Sequence, residues 1–569
     1  MDMTDPAVKQ VQSIEDVWQR IANTTTRGIS VYSDETSQFE LYTYSDLMAY
    51  AAQAAVVLES MGIGWQEKVI ITAHTSHSFI ITWLGLMLLG ATPVPLPPKK
   101  TLAGEGAFKQ RIQPLLEHHR FVLCGEADQP DILEAQKEDG RSLSVIRMED
   151  VTDGLELETG RTLLRGLLER GFHSRYRQLG LDDDAFIQYT SGSTGQPKGT
   201  VISLRNILAN VRAMAEAVHV VPEHDTFLSW LPLYHDMGLV GMLLNCTFNT
   251  TALVMVPPTF FARRPLTILK LVGMFKATHC VMPNFGLEWV LRALSVSSRP
   301  ERFHLNTLKW LGVGSEPISP KTLRLFQEAM DPHGLHPAAL SPCYGMAEAT
   351  LAVAVSQPGT PYKLGQYLEQ VVPCVGPLVR GFEVKIEPFE GSGHTGVIKI
   401  RGESVSRYAY VGAERIDRLD SDGFHDTHDI GFLHEGELAI LGRSDEMFII
   451  NGVNCFPYDL EMVVRALPGV GQRRVACFGV PQPSGRYRIV VLYEARDLTE
   501  EERRRNAQRI REELLNKTGL QPDEILAVQP KAITVTTSGK IQRKKILALY
   551  QAGKFDEERV MSEADARSA

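Results

Sequence analysis

Along this chain the apolar positions switch repeatedly between a period of two and a period near 3.6, which is the pattern of strands alternating with helices. Residues 13–22 read as a short amphipathic helix. Ile29–Tyr32 and Phe39–Tyr42 flank the polar Asp34-Glu-Thr-Ser37 and read as a hairpin. Thr43 stands where it can cap the next helix, with Asp46 in the first turn and Gly62 just past the end. Val69–Thr72 is a strand leading into the most apolar run of the chain, Phe79–Ala91, which reads as a buried helix before the strand-like Ala91–Leu96. That run is shorter than the ~20 residues a membrane span takes. Pro93, Pro95, Pro97 and Pro98 follow it, so no stable membrane insertion is expected.

Residues 99–180 carry one clear strand, Phe121–Cys124, and charged stretches around Glu138-Asp139 and Glu169–Gly171; the later part reads as a surface insertion. The alternation then resumes. Ala185–Thr190 and Thr200–Ser203 are strands, and Ser203 caps a helix running to about Val218. Phe227–Leu231, Leu253–Val256 and His279–Met282 are further strands, each near a loop rich in polar or small residues. This strand–helix rhythm predicts an α/β domain with a largely parallel sheet, whose ligands gather at the strand ends. Residues 374–440 hold short strand signals (Phe382–Ile386, Gly396–Ile400, Leu438–Leu441) and predict a small β-rich subdomain. Past Gly442-Arg-Ser-Asp445 the pattern restarts: strands Arg474–Phe478 and Arg488–Tyr493, a charged helix opened by a Thr499/Glu502 capping box and closed by Gly519, and a strand Ile525–Val528. This is a separate α+β unit of about 120 residues.

Composition narrows the function. At 569 residues the chain is long enough for several units, and 44% hydrophobic with 22% charged residues is ordinary for a globular protein. A formal net charge of −9 argues against nucleic acid as a partner, which needs a basic surface. The seven cysteines are scattered, with no Cys-x-x-Cys pair, so neither a disulfide framework nor a zinc site is expected and reduced cytoplasmic thiols are the default.

The chemistry concentrates around Tyr189-Thr-Ser-Gly-Ser-Thr-Gly-Gln-Pro-Lys-Gly-Thr200. Gly192, Gly195 and Gly199 let backbone N–H groups turn toward an anion; Thr190, Ser191, Ser193 and Thr194 add hydroxyl donors; Lys198 is a point charge for phosphate. Strands on both sides place the stretch at a hairpin tip. Pro197 before the lysine and Gly199 after it exclude a Walker A loop, which needs Gly-Lys followed by Ser or Thr at a helix mouth. Five more motifs follow in order: Trp230–Gly238 with His235, Asp236 and Met237; Gly312–Pro317; Tyr344-Gly-Met-Ala-Glu-Ala-Thr350; Asp426-Thr-His-Asp-Ile-Gly431; and Gly442–Gly452, ahead of a last one, Thr536-Thr-Ser-Gly-Lys-Ile-Gln-Arg543.

In that order and spelling the motifs resemble those of the ANL adenylate-forming superfamily, and His235-Asp-Met-Gly238 with Ala347-Glu-Ala-Thr350 most resemble the fatty acyl-AMP ligases. The resemblance implies an α/β fold with a large N-terminal adenylation domain, residues 1–443, built of several subdomains with α/β sheets and a small β-rich part. It implies a small mobile α+β C-terminal domain, residues 444–569. ATP and AMP would be bound by Thr190, Ser191, Gly192, Ser193, Thr194, Gly195, Lys198, Gly314, Ser315, Glu316, Pro317, Tyr344, Gly345, Met346, Ala347, Asp429 and Arg443. Mg²⁺ would lie at Glu348 and Thr190. Glu348, His235 and Lys540 would be catalytic, and Asp445 would be the hinge. The acyl pocket would be lined by Trp230, His235, Asp236, Met237, Gly238, Asn284, Phe285 and Trp289. The implied reaction joins a fatty or related carboxylic acid to AMP and passes it to the thiol of an acyl carrier protein, with an acyl-CoA ligase as the alternative and a nucleotide-binding homologue without catalysis as a third reading. Two departures from the family pattern stand out: His428 replaces the usual glycine before Asp429, and the stretch between Glu348 and Gly376 is short for the insertion that acyl-AMP ligases carry.

Overall fold

The computed structural model describes residues 13–33, 36–101, 108–139, 143–190, 197–297, 302–367, 370–389, 394–450, 453–470, 474–482, 486–537 and 539–556. The chain forms two compact units. The first comprises residues 1–385, 400–426 and 433–439; the second comprises 386–399, 427–432 and 440–569.

The largest sheet of the first unit has eight strands, in the order Ala352–Val355, Leu340–Gly345, Trp310–Val313, His279–Val281, Thr226–Ser229, Ala252–Met255, Gly28–Ser33 and Gln38–Thr43. Every pairing in its centre is parallel, and only the two edge strands run antiparallel. The predicted hairpin forms, with Ile29 opposite Tyr42, and it extends this sheet through Ile29 beside Leu253. A second, wholly parallel sheet has the order Thr92–Leu96, Lys68–Thr72, Phe121–Cys124 and Ser144–Arg147. Its central residues Val69, Ile70 and Ile71 are fully buried, as a continuous apolar run covered on both faces requires.

The helices form where the cap signals place them. Thr43 Oγ1 accepts from the Asp46 amide at 3.1 Å and opens Tyr44–Ser60; Ser203 and Asn206 make a reciprocal capping box for Leu204–Ala217. His77–Leu88 is buried from Phe79 onward, and it packs tightly on Tyr44–Ser60: a Cβ on Gly85 would lie 3.2 Å from that of Ala54. Among the described residues no helix is long and apolar enough to cross a membrane.

The later part of residues 99–180 differs from the expectation of a surface insertion, and the described residues of the stretch are ordered into elements. They contain helices Phe108–Leu116, Gln129–Asp139 and Leu157–Arg170, and the strand Ser144–Arg147 completes the parallel sheet. Leu157–Arg170 buries Gly160, Leu164 and Leu167, and Gly160 lies so close to the Ala49 carbonyl that a Cβ would come within 2.5 Å. The helix lacks a side-chain N-cap and is charged on its outer face, so its local signals read as surface.

In the second unit, Val475–Pro481 pairs antiparallel with Tyr487–Glu494, which pairs parallel with Glu524–Val528. Side-chain alternation builds a core on each face. Val475, Cys477, Val491 and Ile525 meet Leu460, Val464, Ile510 and Leu514 of helices Pro457–Arg465 and Glu500–Thr518. Ala476, Phe478, Leu492 and Leu526 meet Ile533, Ile546 and Tyr550, the last two from Arg543–Gln551. The Thr499/Glu502 capping box and the left-handed Gly519 (φ 69°) bound the charged helix as the sequence predicts. None of the seven cysteines is disulfide-bonded.

Candidate active site

The strands flanking the glycine-rich loop form the expected hairpin, Asp184–Thr190 with Lys198–Ser203, pairing Thr190 with Lys198 and Gln188 with Thr200. Ser191, Gly192, Ser193, Thr194 and Gly195 lie outside the described residues, as does the Thr190 side chain. Alternation turns Ile187 and Val201 into the core, leaving Gln188, Lys198 and Thr200 on the other face. Gly199 is explained by packing: a Cβ there would lie 2.8 Å from both Ile187 and the Tyr189 ring. Two strands from far along the chain, Tyr408–Val411 and Glu414–Asp417, complete this sheet, with Tyr410 opposite Gly199.

Gln188 ties the hairpin to the His235 motif, its Nε2 donating to the Tyr234 carbonyl at 2.9 Å. The Pro232–Gly238 turn is tight. The His235 amide donates to the Pro232 carbonyl at 3.2 Å, and a Cβ on Gly238 would lie 2.2 Å from that same oxygen. His235 Nδ1 pairs with Asp236 Oδ1, which also accepts from the Met237 amide at 2.8 Å.

Trp230, Phe285 and Trp289 come together around Phe261. Trp230 stacks on Phe261 with ring centroids 3.9 Å apart, and Trp289 lies 5.9 Å from Phe261 and 5.1 Å from Phe285. Trp230 and Phe261 are fully buried, whereas Phe285 and Trp289 are half-buried and form the more open side of this aromatic wall. Asn284 opens the helix Asn284–Ser295, with its Oδ1 accepting from the Ser319 amide at 3.1 Å. Glu316, expected at the nucleotide, accepts from the Phe285 amide at 2.6 Å and so joins the Gly314–Pro317 turn to the aromatic helix. Ser315 is left-handed (φ 75°), and Gly314 admits the Cys343 carbonyl, which a Cβ would meet at 2.7 Å.

The strand Leu340–Gly345 ends in a bulge between Tyr344 and Gly345, and the Met346 amide closes on the Leu351 carbonyl at 2.8 Å. Gly345 is required there, since a Cβ would overlap that carbonyl at 1.9 Å. The following turn, Ala347–Ala349, presents Glu348, whose Oε1 lies 3.0 Å from Arg418 Nη2. Arg418 Nη1 donates to the Thr200 hydroxyl at 3.0 Å. Burial works to raise the Glu348 pKa, but the guanidinium outweighs it and holds the carboxyl below the usual carboxylate range. His425, beside the same pair, is pushed down to about 4 by burial and by Arg418, so it is neutral at pH 7.

In the second unit, His428 occupies the left-handed region (φ 57°), the conformation a glycine takes freely. The local turn therefore survives the substitution, and the His428 carbonyl accepts from the Ser444 amide at 2.8 Å. Asp429 accepts from Arg443 Nη1 at 3.3 Å, and Arg443 reaches on to Asp445 through Nε at 2.9 Å. Lys540 follows Gly539 (φ 94°) in a turn closed by the Thr536 amide donating to the Lys540 carbonyl at 2.7 Å. The Arg543-Lys-Lys545 cluster is mostly engaged within this unit. Arg543 donates to both Glu461 oxygens at 2.8 Å and to Glu446 at 2.7 Å, and Lys544 donates to Asp445. Arg543 is therefore an internal counter-ion for the fully buried Glu461 and is not free to hold a ligand phosphate.

A family model described as "AMP-binding enzyme" matches residues 18–410. The chain belongs to this family. It is an adenylate-forming ligase of the ANL superfamily, within a family that uses ATP. A second model, described as "Disco-interacting protein 2-like, AMP domain", matches residues 445–560 of the ligase. Among curated relatives, a provisionally named acyl-CoA synthetase of Caulobacter vibrioides is 29% identical over 566 residues, covering 94% of each chain. A long-chain-fatty-acid–AMP ligase of Mycobacterium marinum is 28% identical over 608 aligned positions, covering 98% of the ligase and 99% of the relative. A chain solved in a study of fatty acyl-adenylate ligases from E. coli and L. pneumophila superposes with a TM-score of 0.82 at 26% identity, covering 95% of the ligase and 98% of that chain.

Within the first unit of the ligase, hydrogen bonds and an ion pair through Arg418 join the glycine-rich hairpin to the His235 turn and to Glu348, and the aromatic helix meets the Trp230 segment through the Trp230–Phe285 ring contact. Asp429, Arg443, Asp445 and Lys540 belong to the second unit. Sequence reading missed Arg418 and Phe261. Phe261 carried a faint signal in the aromatic pair Phe260-Phe261 after two prolines, and Arg418 carried none, because its partners are remote in sequence.

Proposed function

We propose that this ligase activates a fatty or related carboxylic acid with MgATP in the cytoplasm and passes the acyl group to the phosphopantetheine thiol of an acyl carrier protein. One carboxylate oxygen attacks the α-phosphorus of ATP, the bond from that phosphorus to the bridging oxygen breaks, and pyrophosphate leaves. The thiol sulfur then attacks the acyl carbonyl carbon, AMP leaves, and the thiol proton passes to solvent. The observation that carries this reading is the junction of an aromatic wall with a phosphate-type hairpin, made through the Gln188–Tyr234 bond and the Trp230 segment. Alkyl chain and triphosphate are the two things such a junction holds side by side.

In the first step the obstacle is charge, since an anion approaches a polyanion. Lys198 and the 190–199 loop are assigned to the β,γ end of ATP, and Lys540 to charge developing at the α-phosphate. Asp429, an ionised acceptor beside Arg443, is assigned to the ribose hydroxyls. Among the described residues no three His, Cys, Asp or Glu side chains cluster as a resident metal site. Glu348, with Thr190, would hold a hard cation such as Mg²⁺. Such a cation would supply charge neutralisation at the phosphates. Residues 1–443 are assigned as the adenylation domain and 444–569 as the mobile domain, hinged at Asp445.

A second reading, acyl-CoA formation, is favoured by the similarity to the Caulobacter protein. One experiment separates the two. Purified enzyme with ATP, Mg²⁺ and a panel of fatty acids is offered CoA or a phosphopantetheinylated carrier protein. Acyl-AMP accumulation with CoA and transfer to the carrier is the expected result; rapid, saturable acyl-CoA formation selects the second reading.

A further inference from the structure

Arg418 joins two motifs of the first unit without belonging to either. It is presented by a tight turn in which Asp420 Oδ1 accepts from the Asp422 and Phe424 amides at 3.0 and 2.9 Å, and Leu419 bridges to His425. Its guanidinium spans from Glu348, at 3.0 Å, to Thr200, at 3.0 Å. Thr200 lies two residues beyond Lys198 on the same strand, so alternation turns both side chains to one face, and Arg418 reaches that face. A guanidinium has five N–H donors in a planar fork, and these two contacts engage one on each terminal nitrogen. The side chain is only 13% exposed, and Glu348 and Thr200 fix its orientation, so it meets an arriving anion without first being ordered.

We propose that Arg418 is a further phosphate-binding residue of the adenylation site, contacting the polyphosphate beyond the α-phosphate, with Glu348 and Thr200 as the groups that aim it. This rests on the reading of the 190–199 hairpin as the polyphosphate site and adds to it a second cation, delivered from a different part of the chain. Its contact with Thr200, on the strand and face that carry Lys198, assigns it with Lys198 to the β,γ end. Pyrophosphate and ATP should feel its loss, and AMP should not.

The test is equilibrium binding to the full chain by calorimetry, using the α,β-methylene analogue of ATP, pyrophosphate and AMP, each with and without Mg²⁺. Arg418→Gln is expected to weaken the ATP analogue and pyrophosphate by about 10-fold or more, the scale of a lost charge-assisted contact, while AMP changes less than about 3-fold. Arg418→Lys should fall between. A structural role alone would weaken all three ligands equally or leave all three unchanged, and either result overturns the proposal. If Arg418→Gln does not fold, as its thermal transition will tell, the ratio of ATP-analogue to AMP affinity in Arg418→Lys decides in the same way. Failure of the wild-type chain to bind ATP would sink the parent reading instead.

Discussion

Lys544 donates a 2.8 Å hydrogen bond to the carboxylate of Asp445, 99 positions earlier in the chain. Arg443 holds the same carboxylate at 2.9 Å, so the residue assigned as the hinge is fixed between two cations within its own unit. Burial tends to raise the Asp445 pKa, but Arg443 and Lys544 outweigh it and lower it. A depressed carboxyl stabilises the fold above its unfolded pKa of about 3.9, and that stabilisation is lost as pH falls below it. Because both side chains are partly exposed, the Lys544 pair is worth at most about 1 kcal/mol. Denaturation at pH 7 and pH 3.5 should show the wild type losing more stability on acidification than Lys544→Met. Asp445→Pro, which fixes φ, should spare one half-reaction and collapse the other. A variant normal in both would move the hinge elsewhere.

Lys540 sits at the head of a turn closed by reciprocal bonds with Thr536. Lys540→Ala is expected to cut adenylate formation by roughly 100-fold or more, the scale of a lost electrostatic donor in a transition state. Thioester formation from supplied acyl-adenylate should fall far less. Equal losses in the two half-reactions, measured by pyrophosphate release and by thiol transfer, would remove the assigned role.

His428 tolerates a left-handed backbone that β-branched residues resist. His428→Gly should leave stability and nucleotide affinity within about 1 kcal/mol of wild type, since relief of strain and added unfolded-state entropy oppose each other. His428→Val should cost more than about 1 kcal/mol and weaken ATP binding, because Asp429 follows directly in the chain. Thermal unfolding and ATP affinity, measured together, check both substitutions. If valine proves as benign as glycine, the turn does not set the position of Asp429.

The aromatic wall divides into a buried part, Trp230 and Phe261, and a half-buried part, Phe285 and Trp289. Trp230 is fully buried on Phe261, so Trp230→Ala should destabilise the first unit by about 3–5 kcal/mol. Trp289 is half-buried. Trp289→Ala should instead raise KM for long-chain acids several-fold, leave KM for ATP unchanged, and cost little stability. A uniform rise in both KM values would place Trp289 outside the acyl pocket.

The sequence by itself determined whatever depends on near neighbours. Thr43, Ser203 and Thr499 cap their helices because a side-chain oxygen needs only the amide a few residues on. The hairpin around the glycine-rich loop and the two-faced sheet of the second unit follow from period-two alternation, which is likewise local. The motif series was legible for the same reason, since each motif is a contiguous run of chain. Tertiary structure alone decided what lies against these elements. Tyr408–Val411 falls within the predicted small β-rich segment, yet it pairs with the hairpin of the glycine-rich loop, because a strand edge accepts any partner whose register buries its apolar face. Arg543 opens the basic run Arg543-Lys-Lys545, yet it neutralises Glu461, because a buried carboxylate takes its counter-ion from wherever the fold brings one. Arg418 meets Glu348 and Thr200 only after three separate stretches converge, and no periodicity along one chain encodes the distance between side chains on different elements.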